Sequence, residues 1–178
     1  DLGVSDDDED VGTSIISVSL SAVSEKTALV NYTITGTADN PDDHGALAGL
    51  LTFAPGELTK NISVDIVDDT VDEPGETVIL TLGTPTETTL GGIPVHTLTI
   101  NDNDTAPEVA FPIISTSSNE GDGMVTFEVT LDTASATEIT VDYVVAGSAT
   151  KPDNALQDHD LVSGSLTFPA GVMSQNIN

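Results

Sequence analysis

The chain has 178 residues, with 30 Asp and Glu against 3 Lys and Arg, a formal charge of -27. Such a surface excludes nucleic-acid binding, which needs basic groups to displace counterions, and it disfavours anionic membranes. The absence of cysteine excludes disulfide stabilisation, thiol catalysis and thiolate metal sites.

The chain is nevertheless not a disordered acidic tail. Hydrophobic residues make up 38% and alternate strictly with polar ones, which disordered acidic chains do not show. Aromatics are only 3%, so the core falls to Val, Ile and Leu, a strand-favouring set. No apolar run approaches the ~18 residues of a membrane-spanning helix, and Asp1 opens no secretory leader pattern.

In chain order, residues 1–12 are polar, with Asp6, Asp7, Asp8, Glu9 and Asp10 in a row. Apart from Glu9 they read as a frayed acidic terminus. Residues 13–20 alternate, with Ile16, Val18 and Leu20 on one face, and residues 27–35 alternate through Val30, Tyr32 and Ile34. A turn-rich loop follows over 36–49, containing Pro41, Asp42 and Asp43. A short strand over 50–53 and a tight turn at 54–57 lead to a strand over 59–67. Strands over 77–83 and 95–101 complete the series. Strands of this length between Gly, Pro and Asp turns predict an all-β, antiparallel β-sandwich. Helical periodicity is absent throughout.

Between two of these strands lies an acidic loop. Asp68, Asp69, Asp72, Glu73 and Glu76 put five carboxylates into nine residues, with Pro74-Gly75 forcing a turn among them. No Lys or Arg lies within it. Carboxylates this close repel, and a hard cation such as Ca2+, which takes six to eight oxygens, would relieve them.

The pattern then restarts after the polar junction 101–107. A shift of 111 lays Val18 on Val129, Leu20 on Leu131, Tyr32 on Tyr143 and Gly36 on Gly147. It also lays Glu9 on Glu120. Four inserted residues later, residues 51–53 meet 166–168, so the chain carries an internal repeat of roughly 110 residues. We expect repeat 1 over 1–104, lacking an opening strand whose counterpart is 109–114, and repeat 2 over 105–178, ending before its own acidic loop. Either the chain is a fragment of a longer array, or strands from other copies or neighbouring repeats complete each half by strand addition.

Residues 51–57 (LTFAPGE), the strand to Val67, Asp68-Asp69, residues 72–77 (DEPGET) and the final strand ending in Asp102-Asn103-Asp104 resemble the Calx-β domain. That family occurs in regulatory loops of sodium/calcium exchangers, in integrin β4 and in bacterial surface proteins. The resemblance implies a seven-stranded immunoglobulin-like sandwich with Ca2+ held by loops at one end, near the domain junction. Carried over by motif, the ligands are Glu9, Asp68, Asp69, Glu73, Glu76, Asp102 and Asp104, with the carbonyl of Val71. The chain departs from the family's most acidic members at Thr35, Thr70 and Asn103, where they carry Asp. Lost charge lowers Ca2+ affinity, which points to a structural site rather than a sensor.

The expected function is thus a Ca2+-binding structural module, not an enzyme, stiffening an extracellular or cell-surface rod, adhesin or filament. The alternatives are an intracellular Ca2+-sensing domain and a non-catalytic module attached to an enzyme. The junction 102–107 also resembles the Ca2+-binding linker of cadherins, without other cadherin features. EF-hand spacing and a Gly-x-Ser-x-Gly elbow are absent. His44, His96 and His159 are scattered and read as surface or strand-face residues rather than a zinc site.

Overall fold

The structure, a computed structural model, describes residues 3–119, 122–149 and 159–178. It divides into two compact units, one of Asp1–Asp69 with Pro74–Asn103 and one of Thr70–Glu73 with Asp104–Asn178.

The first unit is a seven-stranded sandwich. Its strands are β1 (Val4–Asp8), β2 (Thr13–Ser19), β3 (Ala28–Gly36), β4 (Gly49–Phe53), β5 (Thr59–Asp65), β6 (Glu76–Leu82) and β7 (Val95–Asn101). One sheet runs β1-β7-β6-β3-β4 and the other holds β2 and β5. All pairings are antiparallel except β1 with β7. Alternation decides which side chains go inside: Val30, Leu51, Phe53, Ile62, Val64, Val78, Leu80 and Leu98 form the core, and Tyr32 packs against its rim. Burying such aliphatic side chains yields roughly 1.5–3 kcal/mol each.

Strand β1 corrects the expectation of a frayed terminus. It has no apolar alternation, but its backbone pairs with β7 over five residues, Val4 opposite Thr97 through Asp8 opposite Asn101. As an edge strand it can carry charge, since its outer groups are solvated. A 3-10 turn at Glu9–Val11 and Gly12, at φ +77°, then turn the chain into β2.

The second unit contains β8 (Val109–Ala110), β9 (Phe127–Leu131), β10 (Ile139–Tyr143), β11 (Gly164–Phe168) and β12 (Ser174–Ile177), in sheets β12-β9-β8 and β10-β11. Among the described residues its buried core is formed by Val129, Leu131, Phe168 and Ile177, with Phe127, Ile139, Val141, Tyr143, Leu161 and Leu166 packed against them. The opening strand expected over 109–114 is shorter than its apolar run, and only Val109–Ala110 pairs. Pro112 removes a backbone donor two residues on.

Both units share one local device. Tyr32 faces Gly49 across β3 and β4, and Tyr143 faces Gly164 across β10 and β11. In each case the phenol covers the glycine where a side chain would otherwise pack.

Candidate metal centre

The β-pairings bring the acidic segments together. Asp8 ends β1 opposite Asn101, which ends β7, and β6 begins with Glu76 opposite Ile100. Gly36 ends β3 opposite Val78, and Asp65 ends β5 opposite Thr13. The turns after β1, β3, β5 and β7 therefore all emerge at one end of the first sandwich.

Backbone hydrogen bonds tie these turns to one another. The Ile66 N–H donates to the Gly12 carbonyl (2.9 Å), Val67 N–H to Asp43 O (3.0 Å) and Gly45 N–H to Asp65 O (2.8 Å). Gly36 sits where any Cβ would collide with the Thr77 carbonyl, at φ +146°, so the β3 exit packs directly on β6. The Asp69 N–H donates to Glu9 Oε1 at 3.2 Å, fastening the acidic loop to the 3-10 turn.

Two groups of three carboxylates result. Glu9 and Asp102, with Asp104 two residues further along, offer ligand oxygens all within 4.8 Å of one another. Asp43 and Glu76, with Glu73, do the same. Glu9 is only 6% exposed, and the other five are half-buried. Burying a carboxylate is costly unless it is paired or coordinates a metal. The two lysines among the described residues are engaged on other loops, Lys26 with Glu87 (2.6 Å) and Lys60 with Glu57 (2.8 Å). The Lys60 hydrogen bond and the Ala54 N–H hold the Glu57 carboxyl below its ordinary value, despite its exposure.

Of the eight motif-derived ligands, Glu9, Asp102 and Asp104 converge in the first group and Glu73 and Glu76 in the second. Asp69 joins through its backbone. Asp68 is exposed and belongs to neither carboxylate group, and Val71 is half-buried. Thr70–Glu73 associates with the second unit, where the Asp72 N–H donates to Ala134 O (3.2 Å) and Ser135 Oγ donates to the Asp72 carbonyl (3.2 Å). Thr133 Oγ1 donates to the Thr70 carbonyl at 2.7 Å. Glu120, the repeat-2 counterpart of Glu9, lies outside the described residues.

Sequence reasoning missed Asp43. Its available signal was an acid in the β3–β4 loop, the loop whose backbone is bonded to the acidic segment. Thr35, by contrast, lies inside β3 opposite Ile79. The expectation of surface histidines fails at His44, which is buried with its Nδ1 accepting the Ala46 N–H at 3.1 Å. The loop's backbone pairs with the segment that leaves β5, His44 opposite Ile66, and the histidine is buried there. His96 is half-buried in β7 with Nε2 2.8 Å from Ser5 Oγ, and burial lowers its pKa from the ordinary 6.5. The three histidines do not come together in a metal-ligating group among the described residues.

The donor set is all carboxylate oxygen, without sulfur or imidazole, which fits a hard cation of the Ca2+ type better than zinc or copper. The comparisons agree with this architecture. The whole chain resembles the calcium binding domain CBD12 of CALX1.1, at 25% identity and TM-score 0.55, covering 98% of this chain and 71% of that one. The apo-form Calx CBD1 domain matches at 29% identity and TM-score 0.54, over 57% of this chain and 92% of that domain. Extracellular matrix protein 3 of Lytechinus variegatus is 36% identical over 92 residues, 46% of this chain and 3% of that protein. The family model described as Calx-beta domain matches twice, over residues 4–104 and 102–178. The chain belongs to the Calx-beta domain family.

Proposed function

We propose that this chain is a Ca2+-binding structural module of a secreted or cell-surface repeat protein, without catalytic activity of its own. The observation that carries the reading is the pair of all-carboxylate groups at one end of the first sandwich, each with ligand oxygens within 4.8 Å. Glu9, Asp102 and Asp104 form one ligand group and Asp43, Glu73 and Glu76 the other. Ca2+ would supply the positive charge that lets these carboxylates stay close. By linkage, an ion that binds only the folded chain stabilises it in proportion to RT ln(1 + [Ca2+]/Kd). The matrix-protein relative favours an extracellular setting, where modules bind Ca2+ at ~10⁻⁴–10⁻³ M. The module would there stiffen an extended rod, adhesin or filament.

A second reading, an intracellular Ca2+-sensing domain, draws on the likeness to CALX1.1 CBD12. It requires micromolar affinity, which the uncharged Thr35, Thr70 and Asn103 disfavour. Thermal unfolding in millimolar Ca2+ and in chelator tests the shared claim. The melting temperature rises with Ca2+ if the reading holds, and identical curves in both conditions refute it. The midpoint of a titration then separates the two settings.

A further inference from the structure

Among the described residues β1 and β7 are the first and last strands of the first unit, and they run parallel. Tension along the backbone, whatever adjoins residue 4, therefore enters β1 at Val4 and leaves β7 at Asn101, at opposite ends of one ladder. The two strands are pulled past each other along their own length. A parallel ladder has evenly spaced bonds, so a sliding load falls on all of them together rather than on one after another. Because β7 also keeps β6 on its other side, β1 is the strand that gives way first.

The contacts between β1 and β7 fit that role. β1 has no apolar alternation, so its hold on the sheet falls mainly to backbone bonds. The Thr97 N–H donates to Gly3 O at 2.8 Å. Gly3 has φ +71°, and a Cβ there would meet the Val95 carbonyl oxygen at 2.7 Å, so glycine lets the strand start this close to β7. From that bond, alternation aims the N–H groups of Ser5 and Asp7 at β7 and those of Asp6 and Asp8 away from it. Ser5 Oγ adds a side-chain rung, 2.8 Å from His96 Nε2. At the far end Glu9 follows β1 and Asp102 follows β7, with carboxylate oxygens within 4.8 Å of one another. Held together by a shared cation, these two carboxylates would pass force arriving at Asp102 to β1 through Glu9, relieving the ladder.

We propose that β1 and β7 form a shear clamp through which the first unit carries tension, and that Ca2+ shared by Glu9 and Asp102 reinforces it. The clamp stands on backbone pairing alone, whereas its reinforcement rests on the Ca2+ binding proposed above.

The full chain, held by its two ends in an optical trap at constant force, tests both. Opening of the first unit is recognised by a contour-length gain of roughly 300 Å, and its lifetime reports the forced-unfolding rate. In chelator, Asp7→Pro deletes a donor of the ladder and should shorten that lifetime about fivefold or more. Asp6→Pro, whose N–H points away from β7, should leave it within about twofold. A second measurement needs no proline. The chain has no cysteine, and Gly92 is an exposed loop position ahead of β7 with open space around a Cβ. Pulled between residue 1 and the thiol of Gly92→Cys, both strands are loaded at the same end, and the pair should peel at several-fold lower force. Equal forces in the two pulling directions, or equal losses in the two proline variants, overturn the clamp. Ca2+ at about ten times Kd should lengthen the parent's lifetime about tenfold, a gain that Glu9→Gln abolishes. An unchanged lifetime in a chain that titration calorimetry shows to bind Ca2+ overturns the reinforcement. A chain that binds none refutes the metal reading instead, with the clamp decided by the results in chelator.

Discussion

Replacing Glu9 by Gln tests the site with a change of sign. Glu9 is nearly fully buried, and its oxygens come within 4.8 Å of those of Asp102 and Asp104. At that distance and an effective dielectric of about 20, one carboxylate pair repels by about 3.5 kcal/mol. Water at the half-buried aspartates screens part of this, leaving about 1–3 kcal/mol to be relieved when the charge is removed. Gln keeps the shape and an oxygen to accept the Asp69 N–H. In chelator, then, Glu9→Gln should stabilise the first unit, and since ~1 kcal/mol moves the midpoint of a domain this size by ~4–8 °C, the melting temperature should rise by at least ~4 °C. In saturating Ca2+ the variant should melt below the parent, because a ligand charge is gone. The linkage term is ~2.7 kcal/mol at one hundred times Kd and shrinks with affinity. Differential scanning calorimetry in both conditions reads the crossover. A variant that lowers the midpoint equally with and without Ca2+ would show that Glu9 is a structural acceptor only, and would refute the charge argument.

Other expectations follow from the same geometry. Asp43→Asn combined with Glu76→Gln should remove most of the second group's share of the Ca2+-induced shift, whereas Asp68→Asn and Asp8→Asn, outside both groups, should leave it nearly whole; parallel melting curves compare them. Phe168→Ala should cost about 3–5 kcal/mol, since Phe168 is among the most deeply buried of the described residues of the second unit, so calorimetry should lower that unit's transition and leave the first in place. Burial depresses the His96 pKa below 6.5, so the unfolded ring takes up its proton before the folded one. The corresponding stability is present above pH 6.5 and is lost as pH falls through the folded value. Denaturant midpoints between about pH 7 and about pH 5 should fall less steeply for His96→Gln if this holds.

The strands β2 to β7 were legible because each carries apolar residues at every second position and ends in Gly, Pro or Asp. Strand β1 was not, because its sequence, VSDDD, has no apolar face; it is specified by backbone pairing with β7, a partner about ninety residues away in register. Residues 109–114 erred in the other direction. Their apolar run reads as a strand, yet only two residues pair. The acidic loop and Glu9 were visible as a concentration of charge and as motif. Asp43 was not, because what brings it to Glu73 and Glu76 is loop folding, including the Val67 N–H to its carbonyl. His44 escaped for the same reason, its burial being set by where the loop returns and not by local pattern.

The central claim is that the acidic end of the first sandwich binds Ca2+. Isothermal titration of the chelator-treated chain with Ca2+, repeated on the Glu9→Gln, Asp43→Asn and Glu76→Gln triple variant, tests it most directly. We predict saturable binding near 10⁻⁴–10⁻³ M for the parent and its loss in the variant. Absence of saturable binding by the folded parent up to ~10 mM Ca2+, well above the extracellular range, or equal binding by both chains, would contradict it.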